Sequence, residues 1–388
     1  MRSPHHTRVA VVQLDFHPAA SIDRKSPLAD PLFALGKPDS LEPADGEVVP
    51  GLQEPLEGLR ARVRAAYVEQ LRARLEAILV ACRGWDVQLV VLPEYSVPWE
   101  LLPALAEAAG PMVVVAGTHA VERTGRRAGV YEALGWPQAP RSGMAVAPVL
   151  HRGRLLALQP KLSAAKPEQR GLVLGEEWVP VDFDAAIGPG LPSPMGVMIC
   201  LDFLYRERET HRTVVGKGLD RTRFLAVPSF TPWFTVDEFG AKGWEEAKRY
   251  GRPVLYTNHA SGGGTSLFVD EGQQSELGRF PERVGVLGPG EEGVLVADVN
   301  LGYERTGKST RYGDVPVVVP VAAASLVYRH HPAHDRYAAW SLENARLLES
   351  EDARSVDDEV DRIEASRAVL VDAASLSGAV LRRRRLHR

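Results

Sequence analysis

The chain has 388 residues, too many for a minimal module and enough for a large α/β domain with appendages. Apolar residues make up 45% and charged residues 25%, ordinary for a globular soluble protein. A formal net charge of −4 sets up no global field toward nucleic acid or an anionic membrane. Two cysteines, Cys82 and Cys200, cannot build a disulfide framework, and the N-terminal MRSPHHTRVA lacks the apolar core of a signal peptide. Both observations predict a reducing, cytoplasmic compartment.

In chain order, Arg8 to Leu14 (RVAVVQL) reads as a short buried strand. Residues 17–54 are rich in Pro, Asp and Ser, show no periodicity and predict a long loop. From Leu56 to Cys82 apolar residues recur every three or four positions, the pattern of an amphipathic helix with Cys82 on its apolar stripe. Strands are predicted at 88–92 and 112–116 with a helix near 99–109 between them. A hairpin over 143–159 turns at His151-Arg152-Gly153-Arg154. Further strands are predicted at 178–183, 195–200, 224–227, 253–257, 265–269 and 293–299. Helices are predicted from Asp202, as a cap, to about 217 and over 237–250. Apolar strands alternating with amphipathic helices, mixed with hairpins, predict a layered α/β fold with a mixed sheet.

The longest apolar stretch, Val315 to Val327, is broken by Pro316 and Pro320 and is too short to span a bilayer. From about 335 the chain turns rich in Ala, Glu, Asp and Arg, with apolar residues at helical spacing. This predicts two helices that need the domain, a second copy or a protein partner to pack on. The terminal run Arg382 to Arg385 reads as a solvated tail. The histidines show no metal-ligand spacing, and Gly262-Gly263-Gly264 fits no nucleotide fingerprint.

Three residues carry chemistry at strand ends. Cys200 closes a strand and leads into a predicted helix, where backbone N–H groups can hold an oxyanion and the thiolate is favoured. Glu94 follows Leu92-Pro93, and Lys161 ends the second arm of the hairpin. Taken singly, the bland readings stand: a buried inert thiol, a surface carboxylate, a solvated lysine. Taken together, the three supply a nucleophile, a base and an oxyanion partner, and Glu168 can add a second carboxylate.

The constellation resembles the nitrilase superfamily of carbon–nitrogen hydrolases, marked by a Glu-Lys-Cys triad in that order, over roughly residues 8–300. Pro93-Glu94 is similar to the base motif, Pro160-Lys161-Leu162 to the lysine motif and Ile199-Cys200-Leu201-Asp202 to the nucleophile motif. Glu168 falls where the family carries a second glutamate. Val227-Pro228-Ser229-Phe230, Trp244 and Thr257-Asn258 continue the pattern. Departures are Pro160 where an arginine is common, Arg141-Ser142 where an asparagine is common, and no histidine in Leu162-Ser163-Ala164. Asp202, two residues after the cysteine, is more like amidase and carbamoylase branches than nitrilases proper.

The resemblance implies a four-layer α-β-β-α sandwich over 1–330, with 331–388 a helical extension for oligomer or partner contact. It implies homodimers or larger assemblies and no cofactor or metal. It implies Glu94 as base, Cys200 as nucleophile, Lys161 and the Leu201 N–H as oxyanion holders, and Glu168 as a positioning carboxylate. The substrate implied is a small amide or N-carbamoyl compound. A nitrile substrate and a partner-gated or non-catalytic binding module remain as alternatives. Tyr95, Trp99, Leu201, Tyr205, Trp233, Phe234 and Asn258 are the candidate substrate contacts, each with a plain packing role as the alternative.

Overall fold

A computed structural model describes residues 6–16, 53–117, 119–120, 125–165, 168, 172–205, 209–269, 283–301, 318–328 and 379–384. In chain order the elements are β1 (Thr7–Gln13), α1 (Gln53–Gly84), β2 (Leu89–Val91), α2 (Leu102–Ala109), β3 (Val113–Val115), β4 (His119–Ala120) and α3 (Gly125–Ala133). They continue with β5 (Ala145–His151), β6 (Arg154–Pro160), α4 (Phe183–Ile187), β7 (Met195–Val197), α5 (Leu201–Tyr205), α6 (Glu209–Arg221) and β8 (Phe224–Pro228). The last are α7 (Val236–Tyr250), β9 (Val254–Thr257), β10 (Thr265–Phe268), β11 (Arg283–Leu287), β12 (Gly293–Val299), β13 (Val318–Tyr328) and β14 (Ala379–Arg384).

Two mixed sheets form. The larger has the order β14-β13-β12-β1-β2-β3-β5-β4, with β6 on β5; the smaller runs β11-β10-β9-β8-β7. β1, β2 and β3 are parallel to one another, as are β7, β8 and β9. The hydrophobic pattern explains how the sheets stack. Along β1, Val9 and Val11 point into one core, shared with Met195, Val197 and Leu225 of the other sheet, while Ala10 and Val12 point into a second core with Leu71, Leu75 and Leu105 of α1 and α2. β2 and β3 divide their side chains the same way. A strand covered on both faces reads as a continuous apolar run, which is why these segments show no alternation. Phe239 and Ala247 of α7 cover the outer face of the smaller sheet. The layers are therefore helix, sheet, sheet and helix, and each fully buried Val or Leu on the shared faces contributes about 1.5–3 kcal/mol.

The structure corrects several expectations. The strand predicted over 178–183 is a single bridge at Val181 followed by α4, whose N-cap is Asp182 accepting from the Ala185 N–H. The helix predicted from Asp202 to about 217 is two helices, α5 and α6. Asp202 lies inside the first turn of α5 and does not cap it. The run Arg382–Arg384 is not a solvated tail: its backbone pairs antiparallel with β13, Arg382 opposite Ser325 and Arg384 opposite Ala323. β4, α3, β11 and β13 were not predicted. The loop expected over 17–54 lies outside the described residues except at 53–54, where α1 begins, and the two tail helices lie outside them entirely. Among the described residues no helix is long and apolar enough to cross a membrane.

Candidate active site

Parallel strands bring their carboxyl ends to one edge, and side chains just past those ends converge there. Ladder-like backbone bonds carry the register beyond the strands: Cys200 N–H donates to the Pro228 carbonyl at 2.9 Å, and Ser229 N–H to the Thr257 carbonyl at 2.9 Å. Glu94 N–H donates to the Ser229 carbonyl at 3.3 Å, which ties the end of β2 in one sheet to the end of β8 in the other. The Glu94 and Cys200 segments are thus fixed relative to each other by main chain.

Each reactive segment turns sharply. Cys200 has φ +49°, a left-handed conformation that costs a non-glycine residue about 1–2 kcal/mol. The turn is held by Asp202 N–H to the Ile199 carbonyl and Phe203 N–H to the Cys200 carbonyl, both 3.0 Å. Tyr95, directly after Glu94, has φ +60°. Here the Ser96 hydroxyl donates to the Pro93 carbonyl at 2.7 Å. Gly117 (φ +59°) packs so closely that a Cβ would sit 2.1 Å from that carbonyl oxygen, so glycine is required.

The structure brings Glu94, Lys161, Glu168 and Cys200 together. Lys161, only 1% exposed, donates from Nζ to Glu94 Oε1 at 2.6 Å and to Glu168 Oε1 at 2.5 Å. The other oxygen of Glu94 accepts the Phe230 N–H at 3.0 Å. Glu168 Oε2 accepts the Ala165 N–H at 2.6 Å, and its Oε1 also accepts the Tyr95 phenol. The Cys200 thiol sits beside the Glu94 carboxyl, close enough to influence its charge. Its sulfur lies 3.9 Å from the Phe230 carbonyl and 3.6 Å from the Thr231 hydroxyl.

Burial and mutual charge set the protonation states. Burial pushes the Glu94 carboxyl up, the Lys161 ammonium pulls it down and Glu168 pushes it up again, leaving it at about 7. Burial also raises the Cys200 thiol, and repulsion from Glu94 adds to that, so the resting sulfur keeps its proton. Burial works against the Lys161 charge, but attraction from Glu94, Tyr95 and Glu168 outweighs it, and the ammonium is held well above its ordinary range. A carboxylate near 7 beside a protonated thiol is a base suited to neutral pH.

Asp202 links the cysteine turn to the lysine segment. Its buried carboxylate accepts the Leu162 N–H at 3.0 Å and the Ser163 hydroxyl at 2.5 Å. Burial raises it to about 6 against the pull of those two bonds. Ser163 thus has a structural partner of its own in Asp202.

Among the candidate substrate contacts, Tyr95 is buried against Glu168 and its ring lies under Lys161, 5.5 Å from Nζ. Leu201 and Tyr205 are half-buried at the two ends of α5, and Trp99 is half-buried in the 3-10 turn Trp99–Leu101. Asn258 is fully buried and bonds to Thr231 and Gly263, so it faces main chain. Trp233 and Phe234 are not drawn into the buried cluster: they are 70% and 67% exposed and stack edge-to-face on each other. Sequence reasoning missed Thr231 and the structural use of Asp202. The only signal for Thr231 was a hydroxyl residue three positions after Pro228, where β8 ends.

No family model matches the chain, and no curated protein matches it by sequence. Solved structures are similar to it in fold. One is a variant of the amidase from Nesterenkonia sp. AN1 with the acetamide moiety of fluoroacetamide added covalently at its active-site cysteine. It is 17% identical, covering 79% of this chain and 96% of that chain, with a TM-score of 0.44. A variant of the same amidase in complex with butyramide is 18% identical, covering 78% and 94%, with a TM-score of 0.43. A third, described as an amidase from the nitrilase superfamily, is 18% identical over 77% and 95%, with a TM-score of 0.42.

Proposed function

We propose that this chain is a cysteine-dependent hydrolase of non-peptide C–N bonds, acting on a small amide in the manner of the nitrilase superfamily. One observation carries the reading: a fully buried lysine held between two carboxylates, one of them beside a cysteine on a strained turn. Inert core thiols have no such neighbours; Cys82, buried among the apolar residues of the α1 core, has its thiol raised to about 12 by burial alone.

The steps follow from the geometry. Glu94 takes the thiol proton, and the sulfur pair attacks the amide carbon while the carbonyl π pair moves onto oxygen. Lys161 Nζ and the Leu201 N–H, at the first position of α5 and without an intrahelical acceptor, hold that oxyanion. Glu94 gives its proton to the nitrogen, the C–N bond breaks, and ammonia or an amine leaves a thioester on Cys200. Glu94 then takes a proton from water as the hydroxide equivalent adds to the thioester carbon. Collapse expels the thiolate, which recovers its proton from Glu94 and frees the acid.

Charge favours a neutral amide over an N-carbamoyl amino acid. Among the described residues touching the triad the only cation is Lys161, and two carboxylates already neutralise it. A nitrile would have to pass through a thioimidate at the same cysteine. We also read the chain through β13 as one catalytic unit, a reading supported by β14 joining the end of the chain to its larger sheet. Residues 331–388 then form the extension that serves contact with a second copy or a partner, with β14 as its anchor on the sheet.

The test is ammonia or amine release from a panel of amides, N-carbamoyl compounds, ureides and nitriles, with Cys200→Ala as the control. Turnover of amides lost in the variant is the expected result. No turnover by folded wild-type protein across the panel rejects the hydrolase and favours a partner-gated or binding role.

A further inference from the structure

The hydroxyl of Thr231 is built into the site as firmly as the triad itself. Thr231 N–H donates to Asn258 Oδ1 at 2.8 Å and its carbonyl accepts from Asn258 Nδ2 at 2.9 Å, so one buried amide grips both faces of the peptide. Asn258 is gripped in turn, donating to the Gly263 carbonyl at 2.8 Å and, from its own N–H, to the Thr265 hydroxyl at 2.9 Å. Gly262 permits the approach: a Cβ there would lie 1.9 Å from the Thr231 carbonyl oxygen and 2.6 Å from Asn258 Nδ2. Both ends of this grip are packed away from solvent, Thr231 4% exposed and Asn258 fully buried. What it does is aim one hydroxyl, 3.6 Å away, at the Cys200 sulfur. The Tyr256 phenol sits beside Thr231 and Ser229 without reaching ordinary hydrogen-bond geometry, so the sulfur is the partner the hydroxyl meets.

We propose that Thr231 is a catalytic residue whose hydroxyl donates to the Cys200 sulfur as the thiol loses its proton, with Asn258 as its positioning residue. This rests on reading Cys200 as the nucleophile. In the resting site the thiol donates to the Phe230 carbonyl at 3.9 Å, and the Thr231 hydroxyl lies 3.6 Å from the sulfur. When Glu94 removes the proton, the same contact becomes a charge-assisted O–H···S⁻ bond. On attack the sulfur pair passes to the substrate carbon and the bond weakens; on thioester collapse the pair returns and the bond re-forms. The hydroxyl proton stays on Thr231 throughout, so nothing is consumed. The Phe230 carbonyl, 3.9 Å from the sulfur, can only accept and offers the thiolate nothing. Thr231 is therefore the neutral donor in a site whose carboxylates otherwise oppose the anion.

The experiment is the rate of Cys200 alkylation by iodoacetamide from pH 6 to 10, read by intact mass, in the wild type, Thr231→Val and Thr231→Ser. Cys200→Ala reports any labelling of the buried Cys82. Loss of a charge-assisted bond predicts alkylation about 10- to 100-fold slower in Thr231→Val on the rising limb. Its midpoint should move to higher pH, and Thr231→Ser should stay near the wild type. A Thr231→Val profile superimposed on the wild type overturns the proposal. So does a Ser variant as slow as Val, which would assign the effect to the methyl group. If Thr231→Val does not fold, Thr231→Ala carries the same expectation. The readout needs no amide substrate, so absence of amide turnover would remove the hydrolase reading while the thiol profile still decides on Thr231.

Discussion

Glu168→Gln tests the electrostatics of the site with a nearly isosteric change. Glu94 and Glu168 share one ammonium, at 2.6 and 2.5 Å, so their bonded oxygens lie within about 5 Å of each other. Two unit charges at that separation repel by about 3 kcal/mol at an effective dielectric near 20, equivalent to about two pH units of proton affinity. Part of this repulsion is what holds Glu94 up at about 7, against the pull of Lys161. The variant removes the charge but keeps an acceptor for Nζ and for the Tyr95 phenol. Glu94 should then release its proton more readily, and the acid limb of kcat/KM should move down by about one to two pH units. A weaker base also draws the thiol proton less well, so the plateau should fall about 10-fold or more. The assay is kcat/KM against pH from 4.5 to 9 with a non-ionising amide. An acid limb that stays put, or moves up, refutes the assignment of Glu94 as the titrating base under Glu168.

Other expectations follow from single contacts. Asp202 is raised to about 6 from an ordinary 3.8, so its contribution to stability is full below 3.8 and is lost as pH rises through 6. Wild type should lose about 3 kcal/mol relative to Asp202→Asn across that window, measured by denaturant unfolding; a difference independent of pH would contradict this. Gly117→Ala drives a Cβ to 2.1 Å from the Pro93 carbonyl oxygen at φ +59° and should cost about 2 kcal/mol or more, with activity lost through the displaced Glu94 turn. Thermal unfolding and the amide assay should fall together, and retained activity would show that the turn tolerates movement. Arg252→Met removes the guanidinium paired with the fully buried Glu246 and should destabilise by about 3–5 kcal/mol in urea unfolding.

Much of the scaffold was legible because buried parallel strands have a plain signature. QLVVL, MVVVA and MGVMIC are apolar runs with no alternation, and each proved to be covered on both faces. The hairpin was marked by Arg152-Gly153, both at positive φ. Reading failed where tertiary contacts overrode local preference. Asp202 has the residue type and place of a cap, yet two donors from the lysine segment, Leu162 N–H and Ser163 Oγ, take its carboxylate. β14 carries a run of arginines with little strand propensity and pairs because β13 offers an open edge. Strand ends could place Glu94, Lys161 and Cys200 near one another. They could not reveal that Asn258 points at main chain while Trp233 and Phe234 point at solvent, since a strand end gives position and not side-chain direction.

The arrangement also explains why so unfavourable a cluster persists. A left-handed cysteine, a second left-handed residue at Tyr95 and four buried ionisable side chains each oppose folding. None of them could be held by a surface loop. Here Glu94 is anchored by its N–H on Ser229, Cys200 by its N–H on Pro228, and Lys161 by its N–H on Ala145 at 2.9 Å. Every reactive side chain is therefore bolted at its own backbone to a strand end of a two-sheet core. Removing one charge or one hydroxyl relaxes the electrostatics without moving the frame, so variants of Glu168 and Thr231 should lose function by changes in proton affinity first. Variants that move the frame, such as Gly117→Ala, should lose stability and function together. That separation is measurable as a pH-profile shift at constant melting temperature in the first group and a lowered melting temperature in the second.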